Sequence, residues 1–218
     1  MEIDGVRVEL FGEREGEKPI VVMHAFGDEA RAVWESCTAR DFCLAAILVP
    51  DWERTLSPWA TPRAFKGGTD FGDGADSHIA RLESTLLPAI RAELGIAAAK
   101  CYIAGYSFAG LFALYTLYRS QMFAGAASAS GSLWFPRFVE FAESAPLAPT
   151  VRRVFLSLGD AEKRTKNRTM QCVEENTRRL YAHYRGRGIR TAFELNSGGH
   201  FDDAEKRLAR GIDWLLHG

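Results

Sequence analysis

Short apolar runs alternate with amphipathic stretches along almost the whole chain. Residues 5–11 alternate between apolar and polar positions, which is typical of an edge strand. Continuous apolar runs predict further strands at 19–23, 42–50, 100–105, 123–130, 152–159 and 189–196. Helical patterns predict helices at 30–40, 78–94, 107–120, 135–144, 167–186 and 202–217, with Pro88 bending the second of them. Strands and helices in this alternation predict an α/β fold with a mostly parallel sheet covered by helices on both faces.

Segment 51–76 is the one long stretch that shows neither pattern. It is rich in Pro, Gly, Asp and Trp, and it directly follows a predicted buried strand. Long loops in compact domains are commonly functional, and ligands bind at the carboxyl ends of parallel strands. We therefore expect 51–76 to be an active-site loop; the alternative is a solvated surface loop.

Composition narrows the class of protein. With 218 residues, 47% of them hydrophobic, the chain is long enough for one domain, 1–218, without a separate cap domain. The net charge of −1 gives no reason to expect a nucleic acid or an anionic membrane as a partner. The charged N-terminus does not resemble a signal peptide, and no apolar run is long enough to span a bilayer. Four cysteines without a CxxC pair or metal-ligand spacing favour buried thiols in a cytoplasmic protein.

The segment Gly105-Tyr106-Ser107-Phe108-Ala109 lies between a predicted strand and a predicted helix. It matches the G-x-S-x-G turn of hydrolases except that Ala109 replaces the second glycine, which predicts a slightly wider crossing of helix and strand. A serine hydroxyl at such a turn is a nucleophile only if a base and an orienting acid accompany it. The alternative is that Ser107 only caps the helix that follows.

A histidine suited to act as the base follows the last predicted strand. His200 lies in the glycine-rich turn 196–203, whereas His78, His183 and His217 are expected at the surface. His24 ends an early strand and is expected to have a structural role in its turn. The order serine, acid, histidine along the chain is that of the hydrolase triad.

The acid is expected after strand 152–159. Glu162 has the preferred spacing, and Asp160 is the second choice. For either residue, the alternative is a surface ion pair with one of the basic residues that follow. Three groups in the expected order favour Ser107 as a nucleophile over Ser107 as a helix cap.

An oxyanion needs hydrogen-bond donors beside the nucleophile. The Phe108 N–H lies at the start of a predicted helix, where the helix dipole favours negative charge. The turn after strand 19–23 is a variant of the H-G-x-G turn that supplies a second donor. We expect that donor to be the Phe26 N–H, with Ala25 as the second choice.

The turn around Ser107, the later segment Ser132-Leu133-Trp134, and the segments around Glu162 and His200 together resemble one family. They are similar to the α/β hydrolases that include enterochelin-type siderophore esterases and esterase D. The resemblance covers about residues 18–217. It implies an α/β-hydrolase fold with Ser107 as nucleophile, His200 as base and a Glu162-type acid. Some siderophore-esterase relatives work as a Ser-His dyad, so the resemblance leaves the acid open.

These observations predict a serine esterase that needs no metal or organic cofactor. We expect Trp52 and Trp134 to line an aromatic cleft, and Arg54 to receive an anionic group of the substrate; ordinary packing and a solvated charged face are the alternatives. The expected partner is a small ester, such as a siderophore-type lactone or a short acyl ester. The same residues serve an acyltransferase or a thioesterase. A catalytically silent binding protein on this scaffold is the alternative from another class.

Overall fold

The computed structural model describes residues 1–13, 16–64, 67–96 and 100–218. Within them, eight strands form one sheet in the order β1-β2-β4-β3-β5-β6-β7-β8. The strands are β1 Glu2–Ile3, β2 Val6–Phe11, β3 Ile20–Ala25, β4 Cys43–Leu48, β5 Cys101–Tyr106, β6 Phe123–Ala129, β7 Arg153–Gly159 and β8 Arg190–Asn196. β1 pairs with β2, and β2 pairs with β4, in the antiparallel direction, whereas β3 to β8 run parallel to one another. The predicted α/β fold is confirmed.

Eight α-helices connect or flank these strands in the described stretches. They are α1 Glu29–Ser36, α2 Trp52–Thr55, α3 Ala75–Arg81, α4 Leu87–Leu94, α5 Ser107–Thr116, α6 Phe138–Ser144, α7 Val173–Gly186 and α8 Ala204–His217. No helix among the described residues combines the length and apolar character that crossing a bilayer requires.

The sheet is covered on both faces, and its central strands β3 and β5 are largely apolar and buried at almost every position. In β3, Ile20 and Val22 contribute to one core, whereas Val21 and Met23 contribute to the other. Side chains of successive strand residues point to opposite faces, so a continuous apolar run feeds two hydrophobic layers. Helices α1 and α8 cover one face, and α5 packs on the other.

The predicted helix 78–94 is longer and more interrupted than its pattern indicates. It comprises α3, a π-helical turn at Leu82–Leu86, and α4. Pro88 lies in the first turn of α4, directly after the π-helical turn. Proline has no N–H to donate, and the break from the regular helical hydrogen-bond pattern occurs at this point instead of the predicted bend.

Several predicted boundaries were wrong by a few residues. The helices predicted at 30–40, 107–120 and 167–186 are shorter, and the last begins only at Val173. Segment 51–76 is more ordered than predicted, since it contains α2, a bridge between Thr61 and Phe71, and the start of α3. Helix ends depend on turns and caps that apolar periodicity does not report.

The topology places four turns at one edge of the sheet. They follow the carboxyl ends of β3, β5, β7 and β8, which run in the same direction. Residues far apart in sequence therefore meet at this edge, where α/β proteins bind ligands.

Candidate active site

Ser107 lies on a strained turn between β5 and α5. Tyr106 is extended, with φ −102° and ψ 146°, and Ser107, the first residue of the helix, has φ 54°. A positive φ is uncommon for a serine and persists only where the surroundings impose it. A helix-capping serine adopts an extended backbone instead, and no capping side-chain hydrogen bond is found at the start of α5.

The turn closes tightly because two small residues let α5 approach the sheet. A Cβ on Gly105 would lie 2.3 Å from the backbone carbon and oxygen of Ala109. A Cβ on Gly110 would lie 2.8 Å from the Ser128 Oγ of β6. Ala109 itself is fully buried. The close approaches thus fall at Gly105 and Gly110, and the wider crossing expected from Ala109 stays a prediction.

The structure brings Ser107, His200 and Glu162 together in one hydrogen-bonded chain. The Ser107 Oγ lies 3.0 Å from the His200 Nε2, and the His200 Nδ1 lies 2.7 Å from the Glu162 Oε2. Each residue follows a different parallel strand: β5, β8 and β7. This arrangement orients the imidazole so that it can accept the hydroxyl proton.

Glu162 is nearly enclosed, with a side chain that is 5% exposed. Burial raises the pKa of this carboxyl, but hydrogen bonds from His200 and from the Gly159 N–H, at 2.7 Å each, more than offset that effect. The pKa of Glu162 therefore lies below its ordinary value, and the group is a carboxylate at neutral pH.

Asp160, the second choice for the acid, has a different position. Its Oδ1 accepts a hydrogen bond from the Gly198 N–H at 3.1 Å, and the Ala161 N–H donates to the Gly198 carbonyl at 3.0 Å. Asp160 thus supports the loop that carries His200 and does not contact the imidazole. Of the two predicted acids, the structure places Glu162 against His200.

The loop 197–203, which we call the histidine loop, is held from several sides. The Tyr106 hydroxyl donates to the His200 backbone carbonyl at 2.6 Å, and the Gly199 N–H donates to the Asp202 carboxylate at 2.7 Å. Gly198 has φ 105°, and a Cβ there would lie 2.6 Å from the Asp202 carboxylate. Glycine is therefore required at this position.

The sequence-based interpretation missed Arg207, which is 1% exposed and lies beneath the site. Its guanidinium contacts the Glu162 carboxylate and carbonyls of the histidine loop. A signal for its burial does exist in the sequence. Arg207 precedes Gly211 and Leu215 at four-residue spacing, so it falls on the inward face of α8.

The turn after β3 places one predicted oxyanion donor against a carboxylate. The Phe26 N–H donates to the Glu29 Oε1 at 2.7 Å, and the Gly27 N–H donates to the Glu29 Oε2 at 2.9 Å. Ala25 is buried within β3 and does not line the pocket. Phe26, Glu29 and Phe108 all line the same cavity as Ser107.

That cavity has a volume of about 600 Å³ and largely apolar walls. Its aromatic side chains are Phe26, Trp52, Tyr106, Phe108, Trp134 and Phe201. Ser107 and His200 lie on its surface, together with Glu162. The cavity is thus large enough for a small organic molecule, whose reacting atom can reach Ser107.

The predicted substrate residues divide into two groups. Trp52 and Trp134 line the cavity, as expected. Arg54 does not: its side chain is 77% exposed and lies 4.0 Å from the Asp51 carboxylate. Among the described wall residues there is no lysine or arginine. Lys66, a lysine of segment 51–76, lies outside the described residues.

A second pair of histidines lies deeper in the molecule, and the expectation that His78 is a surface residue was wrong. The His24 and His78 Nε2 atoms are 2.9 Å apart, and the residues are 1% and 6% exposed. Burial, and secondarily the charge of Arg81, lowers the pKa of His78 to about 4. Burial also lowers the pKa of His24 well below its ordinary value. Both rings pack against Phe112.

Known proteins share this fold. A siderophore hydrolase, EstB of Aspergillus nidulans, is 17% identical with a TM-score of 0.74, and the match covers 97% of this chain and 89% of that one. An IroE-like serine hydrolase of Shewanella oneidensis is 16% identical with a TM-score of 0.77, covering 97% and 75%. In sequence, the chain is also similar to the protein YbbA of Bacillus subtilis, described as uncharacterized: the two are 22% identical over 167 residues, which are 73% of this chain and 67% of YbbA.

A family model described as "Putative esterase" matches residues 30–202. The match covers most of the chain and includes the turn at Ser107, the segment around Glu162, and His200. The chain belongs to this esterase family, has the α/β-hydrolase fold and is an enzyme that hydrolyses esters.

Proposed function

We propose that the protein is a serine carboxylic-ester hydrolase in which Ser107 is the nucleophile, His200 the base and Glu162 the orienting acid. The continuous chain from Ser107 Oγ through His200 to the Glu162 carboxylate carries this proposal. The positive φ of Ser107 supports it, because a strained turn is the usual way to expose a nucleophilic serine at the edge of an α/β sheet.

In the first half of the reaction the Ser107 Oγ forms a bond to the ester carbonyl carbon, while its proton moves to His200 Nε2. The carbonyl electron pair moves onto the oxygen, which becomes an oxyanion. When the pair returns, the bond to the alcohol oxygen breaks and His200 delivers its proton to that oxygen. The products are the free alcohol and an ester of Ser107.

In the second half a water molecule replaces the alcohol. His200 accepts a proton from the water, whose oxygen attacks the acyl carbon. The bond to Ser107 then breaks, and the serine oxygen takes the proton back from His200. Glu162 stabilises the imidazolium in both halves, and its low pKa keeps it charged for that purpose.

The oxyanion is stabilised by two backbone donors in this proposal. The Phe108 N–H lies in the first turn of α5, where backbone N–H groups have no partner within the helix. The Phe26 N–H is the second donor, and it exchanges its hydrogen bond with Glu29 for one with the oxyanion. Removal of one such donor costs about 3 kcal/mol of transition-state stabilisation.

The cavity favours an uncharged ester with an aromatic or otherwise apolar group. Aromatic side chains form much of its wall, and the described wall residues that carry charge are acidic. A negative charge on the substrate would be repelled by Glu29 and Glu205. The siderophore hydrolase of Aspergillus nidulans shares the fold, and a siderophore-type lactone with aromatic substituents suits such a cavity.

A fluorophosphonate probe tests the nucleophile. We expect stoichiometric labelling at Ser107, and loss of labelling in Ser107→Ala and in His200→Ala. Equal labelling in the wild type and both variants would overturn the proposal, as would a folded wild-type protein that takes up no probe. The second outcome would favour a binding protein on a hydrolase scaffold.

A substrate panel tests the ester class. We expect aromatic p-nitrophenyl esters and aromatic tri-lactones to be hydrolysed with higher kcat/KM than anionic esters of equal size. Turnover of acyl-thioesters alone would replace the esterase proposal with a thioesterase. Acyl transfer to an added alcohol, without release of the free acid, would replace it with an acyltransferase.

A further inference from the structure

Arg207 is among the largest side chains that lie fully buried in the described residues. An arginine is seldom buried to this extent unless its charge is paired. It belongs to the first turn of α8, directly after the histidine loop. Its position requires an explanation beyond packing.

The Arg207 guanidinium connects three turns of the site. Its Nη1 lies 3.3 Å from the Glu162 Oε1, 3.2 Å from the Ser130 Oγ and 3.0 Å from the Gly199 carbonyl. Its Nη2 donates to the Ser197 carbonyl at 3.0 Å. These groups follow β6, β7 and β8, so one planar cation joins the acid to the loop that carries the histidine.

We infer that Arg207 is a positioning residue that holds Glu162 and the histidine loop in the geometry needed by the Ser107–His200–Glu162 chain. The inference rests on the proposed function of that chain. Arg207 and the Gly159 N–H occupy the Glu162 Oε1 and leave the Oε2 free for the His200 Nδ1. The carbonyls of Ser197 and Gly199, which both precede the histidine, are held by the same guanidinium.

Arg207 also sets the charge beneath the site. Ionisable groups from several elements surround it: Glu162 after β7, Tyr106 at the end of β5, His200 in the histidine loop, and Asp203 before α8. Asp160 lies behind the histidine loop and bonds to Gly198. The Arg207 Nη1 lies 3.3 Å from the Glu162 Oε1, and a cation beside a carboxylate favours its charged form. Removal of that charge therefore makes Glu162 take up a proton at higher pH.

Two substitutions separate the geometry of the fork from its charge. Arg207→Lys keeps the charge but loses the planar pair of donors, and Arg207→Met removes both at similar length. The exposed Arg210→Met, one turn further along α8, is the matched control, because Arg210 is 46% exposed and pairs with Glu194. The measurements are kcat and KM for a neutral aryl ester, kcat/KM against pH, and the NMR chemical shift of the His200 imidazole at neutral pH.

For Arg207→Lys we expect kcat to fall roughly tenfold with little change in KM, since a small displacement of the acid and base costs rate. The acidic limb of the pH profile should stay in place. For Arg207→Met we expect kcat to fall about a hundredfold, and the acidic limb of the pH profile to move up by about one pH unit. Arg210→Met should match the wild type in all of these.

A kcat in Arg207→Lys equal to that of the wild type would overturn the positioning role of the guanidinium. If Arg207→Met does not fold, Arg207→Lys alone tests the proposal. An unmoved acidic limb in a folded Arg207→Met would overturn the role of the charge. Failure of the proposed function gives a different result, namely hydrolysis that survives Ser107→Ala. The chemical shift of the His200 imidazole, which should differ between the wild type and Arg207→Lys, reports on the role of Arg207 in that case too.

Discussion

Two histidine environments in this protein differ in what surrounds the imidazole. His200 is 31% exposed, faces the cavity, and lies between a hydroxyl and a carboxylate. His24 and His78 are buried, bond to each other, and pack on Phe112. All three rings make hydrogen bonds, but only His200 has a carboxylate beside it.

The difference shows how an environment selects a role for one residue type. A carboxylate beside His200 stabilises the imidazolium that a base must become. An apolar site with a second imidazole as the only partner stabilises the neutral form, as the lowered pKa values of His24 and His78 indicate. The first arrangement suits proton transfer, and the second suits packing beneath the turn after β3.

The largest expected effect concerns His200. We expect His200→Ala to lower kcat by roughly 10⁴-fold, because the proposed base is lost while the cavity remains. Its free energy of unfolding should change little, since the ring is partly exposed. Steady-state kinetics and urea unfolding measure the two effects. If activity survives, or if stability falls as much as in a core variant, His200 does not differ from the buried pair in the way we describe.

The next effect separates the two acidic residues near His200. Glu162→Gln should lower kcat by about 10³-fold, because an amide no longer stabilises the imidazolium. Asp160→Asn should stay within about fivefold of the wild type, since it weakens only the hydrogen bond from Gly198, worth about 1 kcal/mol. The kcat of both variants and of the wild type is measured with the same neutral ester. The reverse order would make Asp160 the acid.

The buried pair should behave in the opposite way. We expect His78→Leu to lower the free energy of unfolding by about 2 kcal/mol, because His24 Nε2 loses its partner in an apolar site. Hydrolysis by the remaining folded protein should persist. Urea unfolding is the measurement, and His217→Leu is the control, since His217 is exposed and should change stability by less than about 0.5 kcal/mol. Loss of activity without loss of stability would contradict a packing role.

The last effect is a pH dependence of stability. A histidine whose pKa is lowered by folding stabilises the protein fully above its unfolded pKa of 6.5, and that contribution is lost as pH falls toward the folded value, about 4 for His78. The loss over this window is on the order of 3 kcal/mol. Unfolding free energies between pH 7 and pH 4 measure it, with His78→Leu expected to give a flatter curve. Equal pH dependence in the wild type and His78→Leu would show that folding does not lower the pKa of His78.

Local sequence was sufficient for the features that each depend on one turn. Ser107 and His200 were predicted because each lies in a glycine-containing turn after an apolar strand, and Glu162 because of its spacing after another. In each case the deciding pattern spans fewer than ten residues, and the parallel sheet brings such turns to one edge regardless of their distance along the chain.

Other features depend on contacts between distant segments. The choice of Glu162 over Asp160 at the histidine, and the bond between the Phe26 N–H and Glu29, follow from side-chain directions within turns, which spacing alone does not determine. Arg207 resembles any charged residue of an amphipathic helix, and His78 resembles a polar residue near a helix start. Each is buried because another element covers it.

By itself the sequence determined the α/β architecture, most of the strands and helices outside segment 51–76, and the turns that contain Ser107, Glu162 and His200. Those properties follow from the spacing of apolar residues and from the positions of glycines, and both determine local structure over only a few residues. Only the tertiary structure decided which carboxylate meets His200, that Arg207 lies beneath it, and that His24 and His78 face each other. Burial and hydrogen-bond partners depend on which surfaces the fold brings into contact, and no short stretch of chain contains that information.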